Sequence, residues 1–82
     1  MVVIEYLGRV RELVGRDEDR VAIEGDSSAI GALLARLQDQ DEAIGALKMS
    51  WLRFSCNDQL IDADSMVRGG DRVSIFMAVA GG

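Results

Sequence analysis

The residues with the clearest chemical potential are the last five of the sequence, Ala78-Val79-Ala80-Gly81-Gly82, which follow an apolar, strand-like segment. Fully extended, five residues reach at most about 17 Å. The two glycines have no Cβ, so their backbone can enter a channel that is too narrow for a side chain. A terminal carboxylate is a poor acyl donor, but joined to AMP as a mixed anhydride it can transfer its acyl group to sulfur, oxygen or nitrogen. The pattern favours a tail whose main-chain carboxylate is the reactive group; the alternative is a frayed end with no role.

The remaining composition excludes several familiar kinds of catalytic site. The 82 residues include no histidine, which is the usual general base near neutral pH and the commonest transition-metal ligand. The single cysteine, Cys56, excludes an internal disulfide, a CxxC redox pair and a four-thiolate iron–sulfur cluster. Nine basic and fourteen acidic residues give a formal net charge of −5, which disfavours nucleic-acid binding. We therefore expect this chain to hold neither a metal nor a cofactor.

The sequence predicts one small domain with a cytoplasmic location. It contains no linker, repeat or low-complexity stretch, no apolar run of transmembrane length and no signal-peptide pattern. We place the folded domain at residues 1–77 and a flexible tail at 78–82. The densest acidic groups, 17–19 and 62–64, are expected to be solvated loops, and the negative charge is expected to attract a basic partner.

Hydrophobic periodicity predicts the elements that must position the tail. Apolar or alternating segments indicate strands at 2–7, 21–23, 51–56, 59–61 and 72–77. One amphipathic helix is indicated by the spacing i, i+3, i+4, i+7 of Ile30, Leu33, Leu34 and Leu37. Its candidate N-cap residues are Asp26, Ser27 and Ser28. Shorter turns are expected at 9–14 and 64–67, and residues 43–47 can add a further helical turn.

The strand alternation assigns side chains to two faces of a sheet. Cys56 falls on the inward face, where a lone cysteine is usually part of the core. Leu7 and Phe76 fall on the outward face, and Leu60 follows the Asn57-Asp58 turn. We therefore expect Leu7, Leu60 and Phe76 to form an apolar docking patch beside the tail, although scattered surface apolar residues are also ordinary.

One main helix packed on one face of a mixed sheet of about five strands makes an α+β fold. The first and last strands are strongly apolar, so we expect them to pair at the centre of the sheet. This arrangement resembles the β-grasp, or ubiquitin-like, fold, and the resemblance supplies the expected strand order.

The whole chain also resembles the small subunits of molybdopterin synthase, the MoaD family of sulfur carriers. The resemblance depends on the segment Arg9-Val10-Arg11-Glu12-Leu13-Val14-Gly15, on Cys56-Asn57-Asp58-Gln59-Leu60, on Gly70-Asp71-Arg72-Val73-Ser74-Ile75-Phe76 and on the terminal Gly81-Gly82. The first of these is the most discriminating, because thiamine-pathway sulfur carriers usually lack it.

The resemblance implies a subunit that donates sulfur and has little catalytic power of its own. Gly82 would be adenylated and converted to a thiocarboxylate, Gly81 would keep the tail narrow, and Ala78, Val79 and Ala80 would provide reach and contact the partner. The implied partners are an E1-like enzyme that uses ATP, a sulfur donor and the large synthase subunit, where sulfur passes to cyclic pyranopterin monophosphate. No nucleic acid or membrane is implied.

Three alternatives remain open at this stage, and the first is an interaction domain whose Gly-Gly end is incidental. The Ala-Val-Ala-Gly-Gly ending also resembles sulfur carriers of cysteine biosynthesis, and a thiamine-pathway carrier would use the same chemistry. A ubiquitin-like modifier would instead be joined through Gly82 to lysines of target proteins.

Overall fold

The computed structural model describes residues 1–78, which form seven strands and three helices. The strands are β1 (Val2–Tyr6), β2 (Glu18–Val21), β3 (Ser27–Ala29), β4 (Leu52–Cys56), β5 (Gln59–Ile61), β6 (Met66–Arg68) and β7 (Arg72–Met77). The helices are α1 (Gly8–Val14), α2 (Ile30–Gln40) and α3 (Glu42–Gly45), and a 3-10 turn covers Met49–Trp51. Within this part of the chain no helix has the length and apolar character needed to cross a membrane.

The main sheet has the strand order β2-β1-β7-β4-β5. β1 is parallel to β7 with the register Val3↔Arg72 to Tyr6↔Ile75, and the other neighbouring strands are antiparallel. The predicted pairing of the first and last strands is therefore confirmed, as is the α+β, β-grasp fold. β3 and β6 form a separate two-stranded sheet. Since β1 and β7 are parallel, both end at the same edge of the main sheet, and the tail leaves from that edge.

The core lies between the main sheet and α2. All four residues of the predicted helical stripe are buried: Ile30, Leu33, Leu34 and Leu37. The sheet contributes inward residues from its central strands: Val2, Ile4, Tyr6, Leu52, Phe54, Val73 and Ile75. Burying each large apolar side chain stabilises the fold by about 1.5–3 kcal/mol relative to leaving it exposed. The period-2 and period-3.6 patterns therefore gave the correct inward faces for both kinds of element.

The start of α2 differs from the prediction. Its N-cap is Ala29, which offers no side-chain hydrogen bond, so Asp26, Ser27 and Ser28 are wrong as cap candidates. Ser27 and Ser28 instead pair with β6 in the small sheet, and part of β6 replaces the turn expected at 64–67. β3 consists of two serines and one alanine, so it has no apolar alternation that would reveal a strand.

Main-chain oxygens of a loop satisfy the first amides of α2 in place of a side-chain cap. The N–H of Ile30 donates to the carbonyl of Ser65 at 3.0 Å, and the N–H of Gly31 donates to the carbonyl of Ala63 at 2.9 Å. A Cβ on Gly31 would lie 3.1 Å from that same Ala63 oxygen. The close approach of loop to helix therefore depends on glycine at this position.

β2 also differs from the prediction, because it spans Glu18–Val21 rather than 21–23, so Val21 is the one residue that the two share. The assignment of residues 17–19 to a solvated loop is wrong for Glu18 and Asp19, which pair with β1. Their charges obscured a strand that is specified by its main-chain pairing to β1 and by one partly buried carboxylate contact.

That contact is made by Asp19 with the only tyrosine in the sequence. Tyr6 is 1% exposed, and its hydroxyl donates to Asp19 Oδ2 at 2.6 Å. The guanidinium of Arg16 donates to both oxygens of Asp19, at 3.0 Å from Nε and 2.7 Å from Nη2. The same Nη2 lies 2.8 Å from Asp41 Oδ2. One guanidinium thus ties β1 and β2 to the connection between α2 and α3.

The network shifts the ionisation of its members in directions set by the contacts. Burial, followed by the hydrogen bond to Asp19, raises the pKa of Tyr6 above its usual range. The hydrogen bonds from Arg16 lower the pKa of Asp19. Asp41 accepts hydrogen bonds from the N–H groups of Ala43 and Ile44. The hydrogen bond from Ile44, followed by the one from Arg16, lowers the pKa of Asp41. The fold therefore favours a neutral phenol surrounded by ionised carboxylates.

We expect Tyr6→Phe to destabilise the domain by about 1–2 kcal/mol at pH 7, because it removes a hydrogen bond to a charged group. A raised folded-state pKa contributes stability below the unfolded value of about 10, and this contribution is lost as the pH rises above it. The difference in free energy of unfolding between wild type and Tyr6→Phe should therefore shrink above pH 10. Urea unfolding from pH 7 to 11 measures it, and a difference that stays constant across this range would contradict the role assigned to the phenol.

Candidate functional site

The point where the tail leaves the sheet is fixed by main-chain hydrogen bonding. β7 runs antiparallel to β4, with Met77 opposite Leu52. One residue further, the N–H of Ala78 donates to the carbonyl of Trp51 at 3.0 Å. The ladder therefore continues through Ala78, which the sequence analysis places in the tail.

Trp51 lies in the 3-10 turn rather than in the strand predicted over 51–56, which begins at Leu52. The prediction was wrong because Trp51 is apolar like the strand residues that follow it, although the backbone of Trp51 belongs to the turn. The other predicted tail residues, Val79, Ala80, Gly81 and Gly82, lie outside the described residues.

Two of the three predicted docking residues lie beside the tail exit. Phe76 is in β7, opposite Arg53 of β4, on the outward face of the sheet. Leu7 follows β1, and its N–H donates to the carbonyl of Ile75 at 3.0 Å, which places it next to Phe76. Leu7 is 39% exposed and Phe76 is partly buried. We call Leu7 and Phe76 the exit patch.

The third docking residue, Leu60, is on the same face but separate from the exit patch. It is 78% exposed and lies in β5, opposite Ser55 of β4. Ser55 in turn pairs with Ser74 of β7. Leu60 is therefore two strands from Phe76, and polar side chains intervene. A partner that contacts all three residues must span the width of the sheet from β1 to β5.

The other half of the outward face is polar. Arg72 Nη1 lies 2.7 Å from Glu5 Oε2 and 3.6 Å from Glu18 Oε1. Ser74 donates from its hydroxyl to Glu5 Oε1 at 3.3 Å. These pairs are partly exposed and contribute little to stability individually. The face thus changes from ion-paired side chains at the start of β7 to the exit patch at the end of β7, where Arg53 lies opposite Phe76.

Cys56 lies on the inward side of β4 and packs against the core, as the alternation predicts. Burial, followed by the negative charge of Asp71, raises the pKa of its thiol. Because the thiolate is the nucleophilic form, a raised pKa makes a cysteine less reactive. The geometry of Cys56 fits a packing role.

The described surface offers shallow depressions rather than enclosed pockets. One of about 320 Å³ is lined by these residues of β1, α1 and the start of β2: Glu5, Tyr6, Leu7, Arg11, Asp17 and Glu18. Among residues 1–78, no group of three or more cysteine, aspartate and glutamate side chains has a geometry that could hold a metal ion.

The sequence did not predict that the carbonyl of Trp51 holds the start of the tail. Its side chain is 44% exposed, and the ammonium of Lys48 lies 5.4 Å from the ring centroid. A tryptophan directly before a strand was the one sequence feature that pointed to this position. Its carbonyl contact with Ala78 could not be predicted, because that contact depends on the register between β4 and β7.

Comparison with known proteins gives the site its context. The sequence pattern of the ThiS family matches residues 4–82. The chain is 32% identical over 83 aligned positions to the protein named molybdopterin synthase sulfur carrier subunit of Escherichia coli (strain K12), and the alignment covers all of both chains.

Solved structures share the fold. SAMP1 from Haloferax volcanii superposes with a TM-score of 0.78 at 21% identity, covering 99% of this chain and 98% of that one. In the complex of subunits 1 and 2 of the molybdopterin-converting factor from Helicobacter pylori 26695, the matching chain gives a TM-score of 0.64 at 19% identity, with 99% and 97% covered. The full-length sequence match and the shared fold lead to one conclusion: this chain belongs to the ThiS family, within the ubiquitin-like ThiS/MoaD superfamily of sulfur carriers.

Proposed function

We propose that this protein is the sulfur carrier of molybdenum cofactor biosynthesis, acting in the cytoplasm as the small, non-catalytic subunit of molybdopterin synthase. The observation that carries the proposal is the full-length similarity to a molybdopterin synthase sulfur carrier subunit. Two features support it: the sequence ends in Gly81-Gly82, and Ala78 leaves the sheet beside the exit patch.

The proposed chemistry takes place at the carboxylate of Gly82. An E1-like enzyme transfers AMP from ATP to this carboxylate and releases pyrophosphate. A sulfur donor then supplies sulfide-level sulfur, which attacks the acyl carbon and displaces AMP, leaving a thiocarboxylate in which sulfur replaces one oxygen. The thiocarboxylate sulfur attacks a carbon of cyclic pyranopterin monophosphate in the large subunit, and the C–O bond at that carbon breaks so that its oxygen substituent leaves. Water then hydrolyses the resulting thioester, which returns the carboxylate of Gly82 and leaves the sulfur on the pterin as a thiol.

The chain's own contribution is positioning. Ala78 is held by the carbonyl of Trp51 and fixes where the tail begins. Val79 and Ala80 provide reach beyond it, and Gly81 lets the backbone pass through a narrow channel. Docking through Leu7, Phe76 and Leu60 holds the thiocarboxylate near the pterin. The effective concentration of this tethered nucleophile is therefore higher than that of a free sulfur compound in solution. No cofactor is assigned to this chain, because ATP is bound by the activating enzyme and the pterin by the large subunit.

The large subunit is the partner with the most direct support. A chain of the same fold is seen in a complex of subunits 1 and 2 of a molybdopterin-converting factor. Carriers for thiamine or cysteine biosynthesis would carry the same thiocarboxylate, so they are distinguished by the acceptor that takes the sulfur. A ubiquitin-like modifier would instead leave Gly82 in amide linkage to target lysines.

We expect protein purified from cells that also express the E1-like enzyme and a sulfur donor to contain a fraction about 16 Da heavier, since sulfur replaces one oxygen. Oxidation of a methionine adds about the same mass, and the chain has four methionines. Intact mass spectrometry followed by fragmentation must therefore place the increase on Gly82. Unmodified Gly82 in every fraction, despite active partners, would contradict sulfur carriage.

Deletion of Gly82 provides the matched control. We expect it to abolish thiocarboxylate formation and to leave the thermal unfolding temperature within about 2 °C of wild type, since the buried core residues, which lie between Val2 and Ile75, are all retained. A large loss of thermal stability would indicate a structural tail instead.

We expect Phe76→Ala and Leu7→Ala each to raise the Kd for the large subunit about tenfold or more, because both remove apolar contact area at the tail exit. Isothermal titration calorimetry with the purified large subunit measures the change, after thermal unfolding has shown that each variant is folded. The control is Met66→Ala, which removes a 61% exposed apolar side chain from the small sheet. Equal weakening by the control, or none by the exit-patch variants, would exclude this face as the docking surface.

A further inference from the structure

The 3-10 turn that holds Ala78 also presents an exposed cluster of two cations and an aromatic ring. Lys48 Nζ lies 5.4 Å from the centroid of the Trp51 ring, which is 44% exposed. Arg53 Nη1 donates to the carbonyls of Ser50 at 3.3 Å and Leu52 at 2.9 Å, so its side chain lies against the same turn. We call Lys48, Trp51 and Arg53 the exit rim.

The charges of the exit rim are not neutralised by the described part of the chain. Neither Lys48 nor Arg53 has a carboxylate of residues 1–78 within 4 Å. Five arginines of the same protein do have one: Arg9, Arg11, Arg16, Arg20 and Arg72. In a protein of net charge −5, the exit rim is therefore a local site of opposite sign.

The exit rim is continuous with the exit patch. Arg53 is the register partner of Phe76, and Trp51 holds Ala78 through its carbonyl. A protein that accepts the tail and contacts Phe76 must therefore pass within reach of these three side chains. Tryptophan and arginine are the residue types most often found to dominate binding energy at interfaces.

We infer that the exit rim is a second anchor of the surface that binds the tail-accepting protein, and that the partner offers Trp51 an apolar recess flanked by carboxylates that face Lys48 and Arg53. The inference rests on the proposed function, since it takes the large synthase subunit as that partner. Charge complementarity selects the carboxylates, because two cations without local partners gain most from opposite charges brought by another molecule. The acidic remainder of the protein would repel the same carboxylates, so the exit rim also fixes the orientation in which the tail approaches.

The sequence contains one tryptophan, so Trp51 can be observed directly. We expect protein labelled with 5-fluorotryptophan to give one ¹⁹F resonance, with a solvent isotope shift between H₂O and D₂O in the free state. This shift should fall by about half or more on saturation with the unlabelled large subunit, because the exposed part of the ring becomes buried. Saturation is established independently by sedimentation velocity.

Charge reversal tests the electrostatic half of the inference. We expect Lys48→Glu and Arg53→Glu each to lower the association rate for the large subunit about tenfold at low salt, with most of the difference lost in 0.5 M NaCl. The matched control is Arg68→Glu. It changes the charge by the same amount near the opposite end of β7, and Arg68, like Lys48 and Arg53, has no ion pair within residues 1–78.

Substitution of the ring tests the apolar half of the inference. Trp51→Ala should raise the Kd for the large subunit about 30-fold, and Trp51→Phe should recover part of that loss.

The outcomes separate this inference from the proposed function. If the wild-type protein binds the large subunit and delivers sulfur while the ¹⁹F shift is unchanged and the exit-rim variants match Arg68→Glu, the inference is wrong and the function stands. If wild-type protein does not bind the large subunit, both are wrong. Protection of Trp51 only by the E1-like enzyme, or by self-association of the free chain, would also overturn the choice of partner.

Discussion

The parallel pairing of β1 with β7 is the constraint on which the rest of the structure depends. These strands come from opposite ends of the described chain, yet they are adjacent at the middle of the sheet, with Tyr6 beside Ile75. Their apolar side chains make this pairing stable, since both strands bury alternate residues against α2. Because the strands are parallel, Leu7 and Ala78 emerge together. The same interaction that completes the core therefore places Leu7, a proposed docking residue, beside the start of the tail.

The sheet edge at the end of β7 combines the features that a tethered acyl group would need. The carbonyl of Trp51 holds Ala78, so the tail begins from a defined point. The outward face carries Phe76 beside Arg53 at the tail end of β7 and the ion pair of Glu5 with Arg72 at the other end, so the two ends of this face differ chemically. The network around Arg16 lies elsewhere and ties β1 and β2 to the α2–α3 connection. Stability and the proposed chemistry are thus assigned to different groups of residues.

Periodicity was sufficient to predict the elements that bury a continuous face. The stripe from Ile30 to Leu37 and the alternation in β1 and β7 gave the helix, the sheet and the exit patch. It failed where main-chain pairing specifies the structure. Ser27 and Ser28 have the composition of a helix cap, but they pair with β6 because the loop carbonyls of Ala63 and Ser65 already satisfy α2.

The same limit applies to the candidate site. Leu7 and Phe76 were predicted because strand alternation determines which face a side chain occupies. The separation of Leu60 and the carbonyl contact from Trp51 depend on the register of β4 against its neighbours, which no local pattern encodes.

The central claim is that sulfur reaches the pterin from Gly82 of this chain. Its most direct test is a single-turnover reaction of the ³⁴S-labelled thiocarboxylate form with the purified large subunit and cyclic pyranopterin monophosphate, without ATP or another sulfur source. A dithiolene contains two sulfur atoms, so we expect two labelled carriers to return to the carboxylate for each pterin converted. The pterin product should carry both labels. Product that forms without ³⁴S, or thiocarboxylate that persists unchanged while its large subunit is active with a known carrier, would show that Gly82 is not the source of the sulfur.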